Sequence, residues 1–325
     1  MPGTTTQSDP HTMRCLEVWG GNQAVDNGVV MAGLDAWLFS KPFGQHAAGG
    51  DIHYVSSCAA GMVTRVLVAD VSGHGEAVAD AARRLRSLMR RYVNFVDQTR
   101  FVQGLNTEFG AVSKAGGFAT AVAATYYAAT DEFTVCNAGH PRPLWYSARA
   151  RSWSLITEPN TPASRRAAES SELSNVPLGI AEPTCYNQFK VKLAKGDVVV
   201  LYTDSLIEAK GSDGRMLGQE GLLRIVQGLD HSDPSEFLRA LLDAIGPTDA
   251  SDDITVLILR PNGMKPKVTS AVKFKAMRML AKAAFASLIP GGPVFPWPEP
   301  GPKAAIAALF RRLKPGRVAV KTHTE

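Results

Sequence analysis

Residues 119–157, ATAVAATYYAATDEFTVCNAGHPRPLWYSARARSWSLIT, decide the fold class. They hold four β-type runs, at 119–128, 132–137, 144–146 and 153–157, rich in Val, Tyr, Phe, Thr and Trp. The first two breaks carry Asp, Gly and Pro, and none of the breaks is long enough for a helix. Strands that follow one another without a crossover helix pair antiparallel. Similar runs lie at 14–19, 37–40, 64–70, 187–193, 198–202 and 254–260.

Four segments have helical periodicity instead. Residues 76–94 place Val78, Ala81, Leu85, Leu88, Met89 and Tyr92 on one face, with Arg83, Arg84, Arg86, Arg90 and Arg91 largely on the other. That pattern predicts an amphipathic helix laid on a core. Further helices are predicted over 99–113, 219–227 and 234–245, the last capped by Asp233. Helices segregated from antiparallel strands suggest an α+β sandwich.

The chain has 325 residues, 45% of them hydrophobic, enough for one sizeable core and an appendage. A small disulfide-stapled scaffold is excluded. Cys15, Cys58, Cys136 and Cys185 form no CxxC pair and read as buried, reduced thiols. Residues 1–13 are polar, with no signal-peptide pattern, and are expected to form a flexible N-terminus. No window approaches the ~20 apolar residues of a membrane span. A cytoplasmic protein is expected.

The formal charge of +5 hides a split. Residues 261–325 hold 12 Lys and Arg against 2 Asp and Glu, which leaves 23 against 28 for residues 1–260. The body is mildly acidic and the C-terminal extension strongly basic, so no nucleic-acid footprint is read on the folded body. Residues 14–260 are taken as the folded body and 261–325 as a basic, helical, Pro-rich extension. A basic helix is predicted over 268–288, then the connector PGGPVFPWPEPGP and a second short helix. Residues 264–325 suit peripheral contact with an anionic membrane surface or a partner; packing on the body is the alternative. Residues 158–175 read as a surface loop.

Chemistry points to acids at strand ends. Asp51 follows two glycines; Asp70 ends an apolar run and opens DVSGHG; Asp204 ends VVVLYT; Asp252 and Asp253 precede ITVLILR. A carboxylate at the end of a buried strand is costly unless a cation meets it. Hard oxygen donors without a Cys or multi-His cluster suit Mg²⁺ or Mn²⁺ rather than zinc. A pair of such ions activates water and shields a phosphate, which suggests metal-assisted hydrolysis of a phosphate ester.

Seven motifs then carry a resemblance, in order: Gly49-Gly50-Asp51; Val68-Ala69-Asp70-Val71-Ser72-Gly73-His74-Gly75; Asn137-Ala138-Gly139-His140-Pro141; Leu178-Gly179; Gly196-Asp197; Tyr202-Thr203-Asp204-Ser205-Leu206-Ile207-Glu208-Ala209; and Asp252-Asp253-Ile254-Thr255. The series resembles bacterial PPM (PP2C-like) serine/threonine phosphatases of the SpoIIE/RsbU type over residues 14–260. The resemblance implies a PP2C-like αββα sandwich, two largely antiparallel sheets flanked by helices, with two Mn²⁺ or Mg²⁺ ions at one edge. It implies that Asp70 bridges both ions and that the Val71 carbonyl ligates one. Asp204 and Asp252 complete the other ligand set, and Asp51 binds directly or through water. Asp253 is a second-shell residue or the alternative to Asp252. The implied reaction is water attack on phosphoserine or phosphothreonine of a protein substrate, by family expectation an anti-anti-sigma (STAS) regulator.

Some positions stay open. Ser205 stands where the family usually has glycine, and it would strain a left-handed turn. It is the one sequence feature favouring a catalytically weak pseudophosphatase or binding module. A protein whose basic tail is its main function is the other alternative. His74 can protonate the departing alkoxide or merely form the turn before the helix. His140 reads as a turn residue at the cleft rim, Asn137 as a loop or phosphate contact, and Lys41 and Arg142 as phosphate clamps or solvated cations. His53 has no assigned role.

Overall fold

The computed structural model describes residues 11–13, 17–44, 46–58, 63–73, 76–92, 97–112, 117–158, 174–211, 214–246, 252–265 and 278. The strands are β1 (His11–Thr12), β2 (Val18–Gly21), β3 (Val25–Val30), β4 (Leu34–Lys41), β5 (Ile52–Cys58), β6 (Val63–Val71) and β7 (Ala119–Tyr127). They continue with β8 (Glu132–Ala138), β9 (Leu144–Ser147), β10 (Ser152–Leu155), β11 (Gln188–Lys192), β12 (Val198–Tyr202) and β13 (Ile254–Pro261). The helices are α1 (Glu76–Tyr92), α2 (Gln98–Val112), α3 (Ser205–Glu208), α4 (Gly218–Gln227) and α5 (Pro234–Ile245).

One sheet runs β1-β3-β4-β13-β12-β9-β10 and the other β11-β8-β7-β6-β5-β2. The long pairings are antiparallel, whereas the short β1–β3 contact is parallel. The two-residue period of a strand lets each central strand feed two cores. Val66 and Val68 of β6, with Leu257 and Leu259 of β13, fill the layer between the sheets. Leu67 and Ala69 face Leu85 and Met89 of α1 and Phe101 and Leu105 of α2. Val256 and Ile258 face Leu222 of α4 and Phe237 and Leu241 of α5. The layers are therefore helix, sheet, sheet, helix, as the family resemblance implies. Each buried Leu or Phe contributes roughly 1.5–3 kcal/mol.

Local signals hold where they are strong. Asp233 accepts from the Ser235 and Glu236 amides at 2.9 Å and caps α5, with Pro234 in the first turn. Within residues 14–260, strands β3 and β5 escaped the pattern. In β3 the Asp26-Asn27-Gly28 sequence reads as a turn, yet it pairs along its length with β4. In β5 every described side chain is buried, His53, Ser56 and Ser57 included, so no alternation survives. The packed domain also starts before residue 14: β1 pairs with β3, and Met13 is in the inter-sheet core.

Cys136 is buried, but Cys185 is exposed, contrary to expectation, because its segment runs along the surface beside Ser174. Cys15 and the Cys58 side chain lie outside the described residues, as do most of the 158–175 loop, the 268–288 helix except Arg278, the Pro-rich connector and the last helix. Among the described residues no helix is long and apolar enough to cross a membrane. The root of the extension is tied down: Lys265 Nζ donates to both Asp131 oxygens at 2.6 Å and to the Ala128 carbonyl at 2.9 Å.

Candidate metal centre

The topology brings the predicted acids to one end of the sandwich. In the six-stranded sheet Ile52 pairs with Ala69, so Asp51, just before β5, stands opposite Asp70 at the end of β6. In the seven-stranded sheet the Thr203 amide donates to the Thr255 carbonyl at 3.0 Å, extending the β12–β13 ladder. Asp204 and the Asp252-Asp253 pair flank that extension. Hydrogen bonds join the sheets here: Thr203 Oγ1 donates to Asp51 Oδ2 at 2.9 Å, and the Gly50 amide donates to Asp253 Oδ2.

Asp253 is occupied by the backbone. Its Oδ1 accepts from the Phe43 amide, and its Oδ2 accepts from the amides of Gly50 and Asp51. Three amides on one buried carboxylate make it a clasp for the Gly49-Gly50-Asp51 loop. Asn22 holds the loop from the other side: it donates to the Gly49 carbonyl at 2.9 Å, and its own carbonyl accepts from the Gly49 amide at 2.8 Å. A side chain at Gly49 would fall on the Asp253 carboxylate. The Val71 carbonyl lies against Gly50, 2.9 Å from where a Cβ would stand.

The acids crowd one another. Asp70 is pushed up to about 8, first by burial, then by Asp204, Asp252, Asp253 and Glu208. Burial, Asp70 and Asp253 raise Asp51 well above the carboxylate range, against the pull of Thr255 and Thr203. Burial and Glu208 raise Asp204. Among the described residues no three acidic, His or Cys side chains stand together as a finished ligand set. What the site offers is a partly desolvated group of hard oxygen donors whose mutual repulsion a divalent cation would relieve. Asp51, Asp70, Asp204, Asp252 and the Val71 carbonyl are the donors available to such an ion.

This electrostatics has a pH consequence. A carboxyl raised from 3.8 to about 8 holds a proton in the folded chain that the unfolded chain has released. The stabilisation from this protonated Asp70 is complete below pH ~4 and is lost as pH rises through about 8. In EDTA the melting temperature is expected to fall across that window, and Mn²⁺ is expected to offset the fall at its alkaline end. A melting temperature in EDTA that climbed through the same window would contradict the crowding.

The other candidates separate clearly. Ser205 opens α3 right after Asp204, whose φ is −64°, and it is not among the residues with positive φ. The serine in place of glycine therefore costs no left-handed strain, which removes the feature favouring a non-catalytic module. Asn137 accepts from the His140 amide and donates to the His140 carbonyl, both at 2.8 Å, so it positions the loop. His140 Nδ1 lies 2.8 Å from Thr120 Oγ1, on the residue paired with Asp70. Burial pushes the imidazole down to about 3, against a smaller pull from the Tyr202 backbone, so burial favours its neutral form. Gly139, at φ +69°, packs so tightly on Pro177 that a Cβ would meet its ring at 2.5 Å. Arg142 donates to Gln219 at 2.7 Å, and Lys41 is exposed at the end of β4. Asp197 accepts from the amides of Ala148 and Ala194 and from Trp145 Nε1, and so secures turns. His53 is buried, and burial and then Arg86 push it down to about 4. His74 lies outside the described residues. Asn22, Thr203, Thr255 and Glu208 were not singled out from sequence, although three of them sit inside the quoted motifs.

Two face-to-face antiparallel sheets, helices on both outer faces and acids at one end define a PP2C-like phosphatase fold. The chain belongs to the Stage II sporulation protein E (SpoIIE) family, whose match covers residues 61–262. Asp51 lies outside that span, and the tertiary structure brings it in. The chain is 24% identical over 231 residues to the phosphoserine phosphatase RsbU of Bacillus subtilis (strain 168), spanning 70% of this chain and 63% of RsbU. Similar solved structures include the RsbU and RsbW domains of Rv1364c from Mycobacterium tuberculosis, with TM-score 0.58 and 23% identity, covering 80% of this chain and 70% of that one. The SiaA-PP2C domain of Pseudomonas aeruginosa has TM-score 0.52 and 18% identity over 69% of this chain and 84% of its own. The phosphatase domain of SpoIIE from Bacillus subtilis has TM-score 0.51 and 14% identity over 79% and 98%. These structural likenesses establish a shared fold.

Proposed function

We propose that this chain is a metal-dependent protein phosphatase that hydrolyses phosphoserine or phosphothreonine, with a STAS-type regulatory protein as substrate. The observation that carries the reading is the crowding of acids at one end of the sandwich, where burial and neighbouring charge raise Asp51, Asp70 and Asp204 together. Two Mn²⁺ or Mg²⁺ ions, when bound, would supply an activated water and neutralise phosphate charge. Asp70, Asp204, Asp252 and the Val71 carbonyl would hold them, with Asp51 binding directly or through water. Asp253 would act from behind, by fixing the loop that carries Asp51. The name of the RsbU relative, a phosphoserine phosphatase, supports the choice of reaction.

The test is phosphate release from a serine-phosphorylated STAS protein by the purified chain, with Mn²⁺ or with EDTA. Release with Mn²⁺ and none in EDTA is expected. Mn²⁺-dependent turnover of an aryl phosphate without turnover of the phosphoprotein would keep the chemistry and remove the substrate.

A further inference from the structure

Three buried hydroxyls on neighbouring strands converge behind Asp51. Ser40 of β4 pairs with Thr255 of β13, and their hydroxyl oxygens are 3.0 Å apart. The Thr255 amide donates to Thr203 Oγ1 at 2.9 Å. Thr203 Oγ1 in turn lies 2.9 Å from Asp51 Oδ2, on the opposite sheet. Thr203 and Thr255 are fully buried, and Ser40 and Asp51 are 3% exposed.

The direction of these bonds follows from their lengths. Because an amide N–H already points at Thr203 Oγ1, that oxygen is an acceptor on one side and its single proton is left to give. The alternatives, Ser205 Oγ and the Thr255 carbonyl, are both at 3.4 Å, so the bond to Asp51 is the best available. Valine would suit these strand positions on packing alone, and a buried hydroxyl is costly unless it is bonded. Threonine here is therefore explained by what it holds.

We propose that Thr203 and Thr255, backed by Ser40, are positioning residues that fix the Asp51 carboxylate across the gap between the sheets for a divalent cation. The inference rests on the reading that Asp51 serves a metal centre. The Thr203 bond pins one carboxylate oxygen and so sets the rotation of the group. The backbone clasp at Asp253 places the Asp51 main chain, and the hydroxyls place its side chain. Outer partners that orient metal-binding groups typically matter by 10–100-fold in affinity or activity.

The experiment is calorimetric titration of the full chain with Mn²⁺ and no substrate, beside melting curves in EDTA. Thr203→Val is expected to weaken Mn²⁺ binding by about 10-fold or more, and Thr203→Ser, which keeps the hydroxyl, to restore most of it. A merely structural role would lower the EDTA melting temperature of Thr203→Val while leaving Mn²⁺ affinity unchanged, and that result overturns the inference. Thr255→Val must shift affinity in the same direction, and it serves as the test should Thr203→Val not fold. A wild-type chain that took up no Mn²⁺ would overturn the metal reading and this inference with it. Normal uptake by the wild type and by both valine variants would overturn this inference alone.

Discussion

Asp70→Asn is expected to reduce Mn²⁺-dependent hydrolysis by at least about a thousandfold in kcat/KM, roughly 4 kcal/mol of transition-state stabilisation. The carboxamide keeps the size of the side chain but removes the charge at the centre of the acid group. Asp70 is the residue on which Asp204, Asp252, Asp253 and Glu208 all act, so its substitution alters the charge balance of the whole group. The same change is expected to raise the melting temperature in EDTA near pH 8, because a crowded, partly desolvated charge is gone. Opposite signs for activity and stability distinguish this outcome from misfolding. Activity within tenfold of wild type, measured with an aryl phosphate and Mn²⁺, would remove Asp70 from the chemistry.

Gly49→Ala is expected to cost about 10–100-fold in the same assay. Its methyl group would take the space of the Asp253 carboxylate, which clasps the amides of Phe43, Gly50 and Asp51. Freed of that clasp, the loop would carry Asp51 away from Asp70. Overpacking of this kind also destabilises by roughly 1–3 kcal/mol, readable as a lower urea midpoint. Gly228→Ala is the control: its Cβ would meet only the Ile225 carbonyl, at an ordinary 3.6 Å, and activity should not change. Equal activity in both variants would show that the clasp does not position the site.

Legibility from the sequence followed the strength of local periodicity. The runs at 119–128 and 132–137 became β7 and β8, and the stripe through Leu85 and Met89 became the buried face of α1. Strand β5 was hidden because both of its faces are covered, so burial erased the alternation that marks a half-exposed strand. Helix α3 was hidden because four residues cannot show a helical period. At the site, the acids were visible as carboxylates at the ends of apolar runs. Their supports, Asn22, Thr203 and Thr255, were not, because a threonine next to an acid looks like any strand residue until its partner is known.

By itself, the sequence determined the α+β class, the motif series and the donor chemistry, since these follow from local pattern and residue type. Which of the paired acids is spent on backbone amides was decided by tertiary structure alone. Asp252 and Asp253 are adjacent and chemically identical, and only the approach of the Gly49-Gly50-Asp51 loop, some 200 residues away in the chain, gives one of them three amide partners. The same holds for Ser205, whose cost depended on a backbone angle set by where β12 ends and α3 begins.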